Sequence, residues 1–542
     1  MAQMTGGQAL VQQLKLEGVD TIFGLPGVQL DYVFDALYDE RDHIRVIHAR
    51  HEQGTAYMAD GYARVTGRVG TCLVVPGPGL LNTGAALATA YACSVPVLCV
   101  TGQIESRLIG LGRGILHEVK DQTRAIASVT KWQGRAMSPA EVPGLVHEAF
   151  RQLHTGRPRP VEIEVPPDVL AAVDEVQLFE AALLDRPAGD PDLIDKAAQA
   201  LGRATSPLIF AGGGVIRAEA WDELRELAEA LEAPVIMTGT NGRGALSDRH
   251  HLALSDAATR HVVPAADVVF AVGTRFTVGA NPQWRPGEKT VIQLDIDPEE
   301  LGRNYPPDVA IEADAKKGLA ALAERVGRYN RRRPSRRDEL DGARALALAQ
   351  AKAMQPQHDL GMAIREAMPD DAIFVSESTQ VGYWARAHFP VYQPRTYIGP
   401  GYQGTLGHGF ATAIGAQIGR PDRRVVSISG DGGFFYNVQE ISTLVQQKVP
   451  LIAIVFNDSR FGNVWRLQEE RFGGRHIAVD LLNPDFMKLA DAFGLRGRRA
   501  RGAEELSREL REALSLDEPT LIEVPVGPME YYAGRPAQPA RP

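Results

Sequence analysis

The sequence is poor in features that mark several classes of protein. It has only three cysteines, Cys72, Cys93 and Cys99, in apolar surroundings, so we expect reduced core thiols and no disulfide framework. The longest apolar run, at 85–100, is interrupted by polar residues and a proline, which argues against a membrane span. Residues 5–18 predict a mixed amphipathic helix, which is not typical of a signal peptide. We therefore expect a cytoplasmic protein.

Positive charge is also scarce. The formal net charge of −9 argues against a nucleic-acid partner, because such a protein needs a basic face. A local exception, the basic run at 328–337, is more typical of a solvated linker between domains. The hydrophobic fraction of 44% and the charged fraction of 23% are those of an ordinary globular protein. Since 542 residues are too many for one core, we expect two to four domains.

Alternating apolar strands, glycine turns and helices predict an α/β protein with three doubly wound, Rossmann-like domains, each on a parallel sheet. The first domain spans 1–170 and is followed by a polar, irregular stretch at 171–190. The second spans 190–327, where strands run into glycine turns. Residues 328–357 are predicted to form a linker, and the third domain spans 358–530. We expect the proline-rich tail that follows to be disordered.

The third block carries the most informative stretch. A strand at 425–429 stops at Gly430-Asp431-Gly432-Gly433, a helix is predicted at 434–447, and a second buried strand at 451–456 runs into Asp458. In an open parallel sheet the carboxyl ends of two such strands meet at one edge, where ligands bind. Carboxylates there suit a hard divalent cation, and the glycines let the backbone approach a diphosphate.

This stretch resembles the signature of thiamine-diphosphate enzymes, including the spacing from Asp431 to Asp458. A second segment, Arg50-His51-Glu52-Gln53-Gly54, opens a predicted helix. Together with the strands and glycine loops around it, this segment resembles the pyrimidine-binding domain of the acetolactate synthase, pyruvate oxidase and benzoylformate decarboxylase family. The resemblance covers nearly the whole chain. It implies a homodimer at least, and a homotetramer as is common in the family, because the family places its cofactor between the first and third blocks of different subunits.

The resemblance implies thiamine diphosphate and Mg²⁺ as cofactors. The metal would be held by the carboxylates of Asp431 and Asp458 and by the main-chain carbonyl of Arg460. Asp458 stands where the family usually has Asn, and its extra charge attracts the metal but repels a diphosphate. Asn457 is an alternative ligand, although the spacing favours Asp458.

The same resemblance implies the other cofactor contacts. Glu52 would be buried, would share a proton with N1′ of the pyrimidine and would have a raised pKa, whereas on its own it would be an ordinary first-turn acid. Gly404 would offer its carbonyl to the 4′-amino group, and Leu406 would separate the two rings. The complete set of implied cofactor-binding residues is Pro26, Glu52, Thr379, Gln380, Gly404, Leu406, Gly430, Asp431, Gly432, Gly433, Asp458 and Arg460.

On the substrate side, Gln103 and His117 match positions that line the reaction cavity of acetolactate synthases, so we predict that they act with Glu52 in catalysis. His117 stands where many relatives carry Gln, and it is either a proton donor or plain polar surface. In the middle block, the glycines resemble those of flavin-bearing relatives. The segment 251–256, however, lacks the glycine-rich insertion that contacts the flavin. FAD is therefore not expected, although the glycines do not exclude it.

The resemblance implies a 2-oxo acid decarboxylase and carboligase of acetolactate synthase type, in which the thiazolium ylid attacks a carbonyl. The substrate would be a small 2-oxo acid or a related carbonyl compound. With the same cofactor, a non-ligating decarboxylase or a C–C bond hydrolase stays open. A nucleotide-dependent oxidoreductase is disfavoured because the turn at 212–214 lacks the full Gly-x-Gly-x-x-Gly pattern. A silent binding protein is disfavoured because both Glu52 and Asp431 are present.

Overall fold

The computed structural model describes residues 1–181, 184–277 and 289–529. Within these ranges the chain forms three six-stranded parallel sheets flanked by helices, which confirms the predicted fold class. No helix in the described part of the chain has both the length and the apolar character needed to cross a bilayer. The predicted tail and the last residue of the third predicted domain lie outside the described residues.

The first sheet and its helices form the amino-terminal domain. Its strands are β1 Ala2–Thr5, β2 Thr21–Gly24, β3 Arg45–His48, β4 Gly70–Val74, β5 Val97–Gly102, β6 Trp132–Arg135, β7 Val161–Val165 and β8 Val173–Val176. Its helices are α1 Gly6–Leu16, α2 Asp31–Asp39, α3 Glu52–Thr66, α4 Pro78–Asn82, α5 Gly84–Cys93, α6 Gln122–Ile126, α7 Val142–His154 and α8 Pro167–Ala171. The parallel sheet has the order β3-β2-β4-β5-β7-β6.

The remaining two strands of this domain pair with each other. β1 and β8 form an antiparallel ribbon in which Ala2 lies opposite Val176 and Thr5 opposite Val173. The prediction of an irregular stretch at 171–190 was therefore wrong for its first residues. The polar strand β8 is stabilised by a partner at the far end of the domain sequence, which local composition does not reveal.

The second sheet forms the central domain. Its strands are β9 Pro207–Ala211, β10 Val235–Met237, β11 Ala253–Leu254, β12 Val268–Val272, β13 Thr290–Asp295 and β14 Val309–Glu312. Its helices are α9 Pro191–Arg203, α10 Gly213–Arg217, α11 Trp221–Leu231, α12 Thr259–Val262 and α13 Ala315–Val326. The sheet order is β11-β10-β9-β12-β13-β14.

The predicted linker at 328–357 contains a long helix, α14 Arg337–Ala353. The basic run that precedes it is bound to the central domain. Arg333 Nη2 donates to the carbonyls of Leu201 and Gly202 at 2.8 and 2.9 Å, where α9 ends. Cations are favoured at a helix carboxyl end. Arg333 therefore caps a helix, whereas most of the run, including Arg328, Arg331 and Arg332, is exposed as expected for a solvated segment.

The third sheet forms the carboxyl-terminal domain. Its strands are β15 Ile373–Ser376, β16 Tyr397–Ile398, β17 Val425–Gly430, β18 Ile452–Asn457, β19 Arg496–Arg499 and β20 Thr520–Pro525. Its helices are α15 Gln357–Ala367, α16 Gln380–His388, α17 His408–Gly419, α18 Asp431–Phe434, α19 Ile441–Gln446, α20 Gly462–Phe472, α21 Phe486–Ala492 and α22 Gly502–Leu514. The order β16-β15-β17-β18-β20-β19 reverses direction between β15 and β17, which is the switch point where ligands bind such sheets.

The predicted helix at 434–447 is broken. α18 stops at Phe434, a short 3₁₀ helix occupies Val438–Glu440, and α19 follows. The break has a tertiary cause, because Asn437 Nδ2 donates to the Gly407 carbonyl at 2.8 Å. Glu440 in the same segment bonds to the first domain.

The first and third domains of one chain share a core. α3 crosses α17 so closely that a Cβ on Gly61 would lie 2.0 Å from the Thr412 carbonyl oxygen, and one on Gly415 would lie 1.9 Å from that of Met58. Buried apolar residues from both domains surround this crossing. The helix that begins at Glu52 is therefore packed firmly against the third domain of its own chain.

Candidate active site

A cleft of about 530 Å³ lies at the carboxyl edge of the third sheet. The loops after β15, β17 and β18 line it, together with the segment that leads into α17. Every site residue predicted in the third block lines this cleft. They are Thr379, Gln380, Gly404, Leu406, Gly430, Asp431, Gly432, Gly433, Asp458 and Arg460.

Two carboxylates dominate the charge of the cleft. Asp431 and Asp458 directly follow β17 and β18, which are neighbouring strands. Asn483 Nδ2 donates to Asp431 at 2.6 Å, and Gln380 Nε2 donates to Asp458 at 3.3 Å. Burial raises the pKa of both carboxyls, and the charge of Asp431 raises that of Asp458 further. The pair therefore lacks a counter-charge, which a bound cation would supply.

Asn457, the alternative metal ligand, is engaged elsewhere. Its Nδ2 donates to Glu523 at 2.8 Å, and its Oδ1 accepts from the Ser459 amide at 3.1 Å and from Asn483 at 3.0 Å. Asp458 lines the cleft, whereas Asn457 does not. Of the two, the geometry favours Asp458.

The floor of the cleft fits a diphosphate. Thr379 immediately precedes α16, whose first-turn amides can bind an anion. A Cβ on Gly430 would lie 3.3 Å from Thr379 Oγ1, and one on Gly432 would lie 2.7 Å from the Phe461 ring, so only glycine keeps this floor open. In the described ranges no group of three or more His, Cys, Asp or Glu side chains could hold a metal. A metal between the two aspartates would thus take further oxygens from the main chain or from a phosphate.

Glu377, at the end of β15, is a site residue that sequence reasoning missed. Its buried carboxylate accepts hydrogen bonds from the amides of Gly407 at 2.7 Å and Gly409 at 3.1 Å and from Ser429 Oγ at 2.7 Å. Burial raises the pKa of Glu377 to about 7. The side chain therefore joins the loop before α17 to β17. Its only sequence signal was its place beside the predicted loop at 378–380.

The residues predicted in the first domain lie apart from this cleft. Glu52 is half-buried in the single chain, less than expected, and accepts a hydrogen bond from Asn82 Nδ2 at 2.9 Å. Pro26 is exposed in the loop after β2. Neither residue lines the cleft of the third domain. One chain therefore presents the acid and the carboxylate pair in two separate places.

Gln103 and His117 also lie in the first domain. Gln103 is buried, and its amide is committed to neighbours: Nε2 donates to Glu164 at 3.2 Å and Oε1 accepts from the Ile104 amide at 2.8 Å. His117 is half-buried, with Nδ1 3.1 Å from Gln29 Oε1. The structure does not bring these two side chains into one hydrogen-bonded unit with Glu52, and their catalytic role stays a prediction.

A second cleft, of about 500 Å³, lies at the carboxyl ends of β9, β12 and β13 in the central domain. Glycine turns at Gly213, Gly214 and Gly273 form part of its wall. Its lining is rich in arginine and also contains acids, two of which pair with arginines: Glu300 with Arg157 and Asp314 with Arg186. Arg217 and Arg275 line it as well. The prediction that no flavin binds here stays a prediction.

The chain matches three domain descriptions of one family. The N-terminal TPP binding domain of thiamine pyrophosphate enzymes matches residues 4–125, the central domain matches 194–322, and the C-terminal TPP binding domain matches 377–524. The third match contains the whole aspartate motif of the cleft.

Curated relatives match over nearly their full length. The chain is 36% identical over 541 residues to a probable 2-ketoarginine decarboxylase of Pseudomonas aeruginosa, covering 96% of this chain and 94% of the relative. It is 34% identical over 553 residues to a probable acetolactate synthase large subunit of Methanocaldococcus jannaschii, covering 97% and 93%. It is 32% identical over 545 residues to the acetolactate synthase isozyme 2 large subunit of Escherichia coli, covering 97% and 96%. The chain therefore belongs to the thiamine pyrophosphate enzymes, as an acetolactate synthase-like enzyme of the transferase/lyase class.

Proposed function

We propose that this enzyme is a Mg²⁺- and thiamine-diphosphate-dependent 2-oxo acid decarboxylase that transfers the remaining carbon fragment to a carbonyl acceptor, as acetolactate synthases do. The observation that carries the proposal is the cleft of the third domain, where Asp431 and Asp458 stand beside an open glycine floor. It offers both oxygen ligands for a hard cation and main-chain amides for a phosphate.

Each predicted residue receives a role in this proposal. Thiamine diphosphate, when bound, supplies a nucleophilic carbon and accepts the electron pair that decarboxylation releases. Asp431, Asp458 and the main-chain carbonyl of Arg460 would hold Mg²⁺. Glu52 would share the proton at N1′ of the pyrimidine, and Asn82 holds its carboxylate in place. The polar cleft lining thus binds one end of the cofactor, and the acid acts on the other.

The remaining residues orient the cofactor and the substrate. Thr379 and Gln380 would contact the diphosphate, the Gly404 carbonyl would accept from the 4′-amino group, and Leu406 would keep the two rings apart. His117 would give or take a proton on the substrate side, and Gln103 would line the reaction cavity beside it. Pro26 would contact the pyrimidine end.

We propose a homodimer as the smallest active unit, within a homotetramer. The separation of Glu52 from the cleft of its own chain supports this, because a second copy can bring the two halves together. Exposed apolar side chains in both halves also favour a covering partner; they include Val28, Leu111 and Leu116 in the first domain and Phe472, Ile477 and Leu482 in the third. A cytoplasmic location stays a prediction.

A reconstitution experiment tests the proposed reaction. The purified protein is loaded with thiamine diphosphate and Mg²⁺ and offered a panel of 2-oxo acids, and the products are identified by mass spectrometry. We expect carbon dioxide together with a ligated 2-hydroxy ketone product. Carbon dioxide with a free aldehyde alone would refute the ligase assignment.

A simple decarboxylase is the second candidate. The relative described as a probable 2-ketoarginine decarboxylase, at 36% identity, favours it. The same panel separates the two candidates, provided that it includes a 2-oxo acid with a guanidinium side chain. Release of the aldehyde from that substrate, with no ligated product from any donor, would favour the decarboxylase.

A further inference from the structure

Glu440 is a buried acid of the third domain whose bonds lie in the first domain. Its side chain is fully buried. The Arg50 amide lies 3.1 Å from both of its carboxylate oxygens, and the His51 amide donates to Oε1 at 3.0 Å. A Cβ on Gly54 would lie only 2.6 Å from Oε1. The approach of the carboxylate to this turn therefore requires a glycine in the first turn of α3.

The two amides that Glu440 binds directly precede Glu52. His51 is the amino-terminal cap of α3, and its Nδ1 accepts from the Gln53 amide at 3.1 Å. The dihedral angles of these residues set the direction in which the first side chain of the helix points. Glu52 is thus held in two ways: Glu440 fixes the backbone that directly precedes it, and Asn82 bonds to its carboxylate.

The carboxylate of Glu440 is itself fixed. Thr443 Oγ1 donates to Glu440 Oε2 at 2.7 Å, and Gln446 Oε1 lies 3.1 Å from His48 Nε2 on β3. These contacts extend along the strand that leads to Glu52. Because Glu440 follows Asp431 closely in the chain, the same segment carries a predicted metal ligand and the anchor of the acid.

We propose, resting on the proposed function, that Glu440 is a positioning residue for Glu52, which orients the acid toward the cofactor from the third domain of the same chain. In the proposed dimer, Asp431 and Glu52 of one chain serve different active sites. Glu440 then connects the segment that carries the metal ligand Asp431 of one site to the turn that carries Glu52 of the other site.

The test compares Glu440→Gln with the wild-type holoenzyme. Glutamine keeps the size of the side chain and one acceptor oxygen, but it places an N–H where the second carboxylate oxygen accepts from the Arg50 amide and from Thr443 Oγ1. The readouts are the rate of hydrogen–deuterium exchange at the thiazolium C2 of bound cofactor, kcat, KM and the cofactor dissociation constant. We expect the exchange rate and kcat to fall together by about 10- to 100-fold, with KM and the dissociation constant changed less than about threefold.

The double variant decides whether Glu440 acts through Glu52. If it does, adding Glu440→Gln to Glu52→Gln causes no further loss of exchange. A full additional 10-fold loss in that background would overturn the proposal, and so would a wild-type exchange rate in Glu440→Gln. Wild-type protein that binds no thiamine diphosphate would instead refute the proposed function.

Two further variants separate positioning from folding. Asp314→Asn is the matched control, because Asp314 is also a buried carboxylate that binds two backbone amides at a helix start, those of Lys316 and Lys317. It should lower Tm without changing the exchange rate. If Glu440→Gln fails to fold, Thr443→Val takes its place, with an expected three- to tenfold loss of exchange; an unchanged rate in that variant would overturn the proposal.

Discussion

The clefts of the third and central domains have the same place in the fold but differ in their charged side chains. Each lies where the strand order of a parallel sheet reverses, and their volumes are about 530 and about 500 Å³. Among the described residues, the carboxylates Asp431 and Asp458 of the first cleft have no arginine paired with them, whereas in the second cleft an acid such as Glu300 pairs with an arginine, Arg157. Sheet topology therefore fixes where a ligand can bind, and the side chains after the strands decide which ligand.

Both clefts contain charged groups with shifted pKa values. In the third domain, burial raises the pKa of Asp431 and Asp458, so the carboxylates lack a counter-charge. In the central domain, burial and the nearby arginines Arg395 and Arg64 lower the pKa of Arg217 to about 9. Burial also raises the pKa of Asp295 in the central cleft, to about 6. The third cleft is thus suited to a cation, whereas the central cleft holds poorly compensated groups of both signs.

The largest expected effect comes from removing the first carboxylate. Asp431→Ala deletes a predicted Mg²⁺ ligand and the partner of Asn483, and thiamine diphosphate should no longer be retained in the presence of Mg²⁺. We expect the dissociation constant to rise by more than about 100-fold, as measured by quenching of intrinsic fluorescence. Retention equal to wild type would show that the cleft does not anchor the metal.

The next effect concerns the acid in the first domain. Glu52→Gln should still bind the cofactor, because the metal-binding cleft is untouched, but should lose about 10²- to 10³-fold in kcat. Steady-state kinetics with saturating cofactor measures this loss. A variant with wild-type turnover would remove Glu52 from the mechanism.

A smaller effect is expected in the stability of the apoprotein. Folding raises the pKa of Glu377 from 4.5 to about 7, so the folded chain holds this proton more tightly than the unfolded chain. The free energy of unfolding should therefore fall as the pH rises from 4.5 to about 7. Glu377→Gln removes this contribution. Raising the pH from 5 to 8 should therefore lower the Tm of the variant by roughly 5 °C less than it lowers the Tm of the wild type. Equal slopes in the two proteins would contradict the assigned pKa.

The smallest effect should come from a substitution in the cleft of the central domain. Arg217 forms no hydrogen bond or ion pair within the part of the chain that the structure describes, and it lies near other arginines. Arg217→Gln should leave kcat and cofactor affinity unchanged and raise Tm by about 1–3 °C, because a poorly compensated, half-buried charge is removed. Loss of thiamine diphosphate binding in this variant would mean that the two clefts are not independent.

The sequence predicts the third-domain cleft well because its elements are local. Asp431 and Asp458 each follow a strand of the same parallel sheet, so their meeting at one edge follows from the topology rule alone. The glycine floor is equally local. The topology rule does not reach Thr379, Gln380, Gly404 and Leu406, which were predicted from the family resemblance, but they line the same cleft.

Other features depend on contacts between distant segments, which one sequence does not reveal. The helix predicted at 434–447 breaks because Asn437 and Glu440 bond to residues elsewhere in the chain. Glu377 could not be recognised because its partners, the Gly407 and Gly409 amides, reach it only in the folded domain. The strand Val173–Val176 forms only because Ala2–Thr5 lies beside it.

Complementation between two inactive variants tests the central claim most directly, namely that the acid of one chain and the metal ligands of another build one site. Glu52→Gln and Asp431→Ala are each expected to be nearly inactive. When they are co-expressed, half of the randomly formed dimers pair one variant with the other, and each such dimer has one intact site, so activity should return to about a quarter of wild type. If each chain built its own site, every site in the mixture would carry a defect and no activity would return.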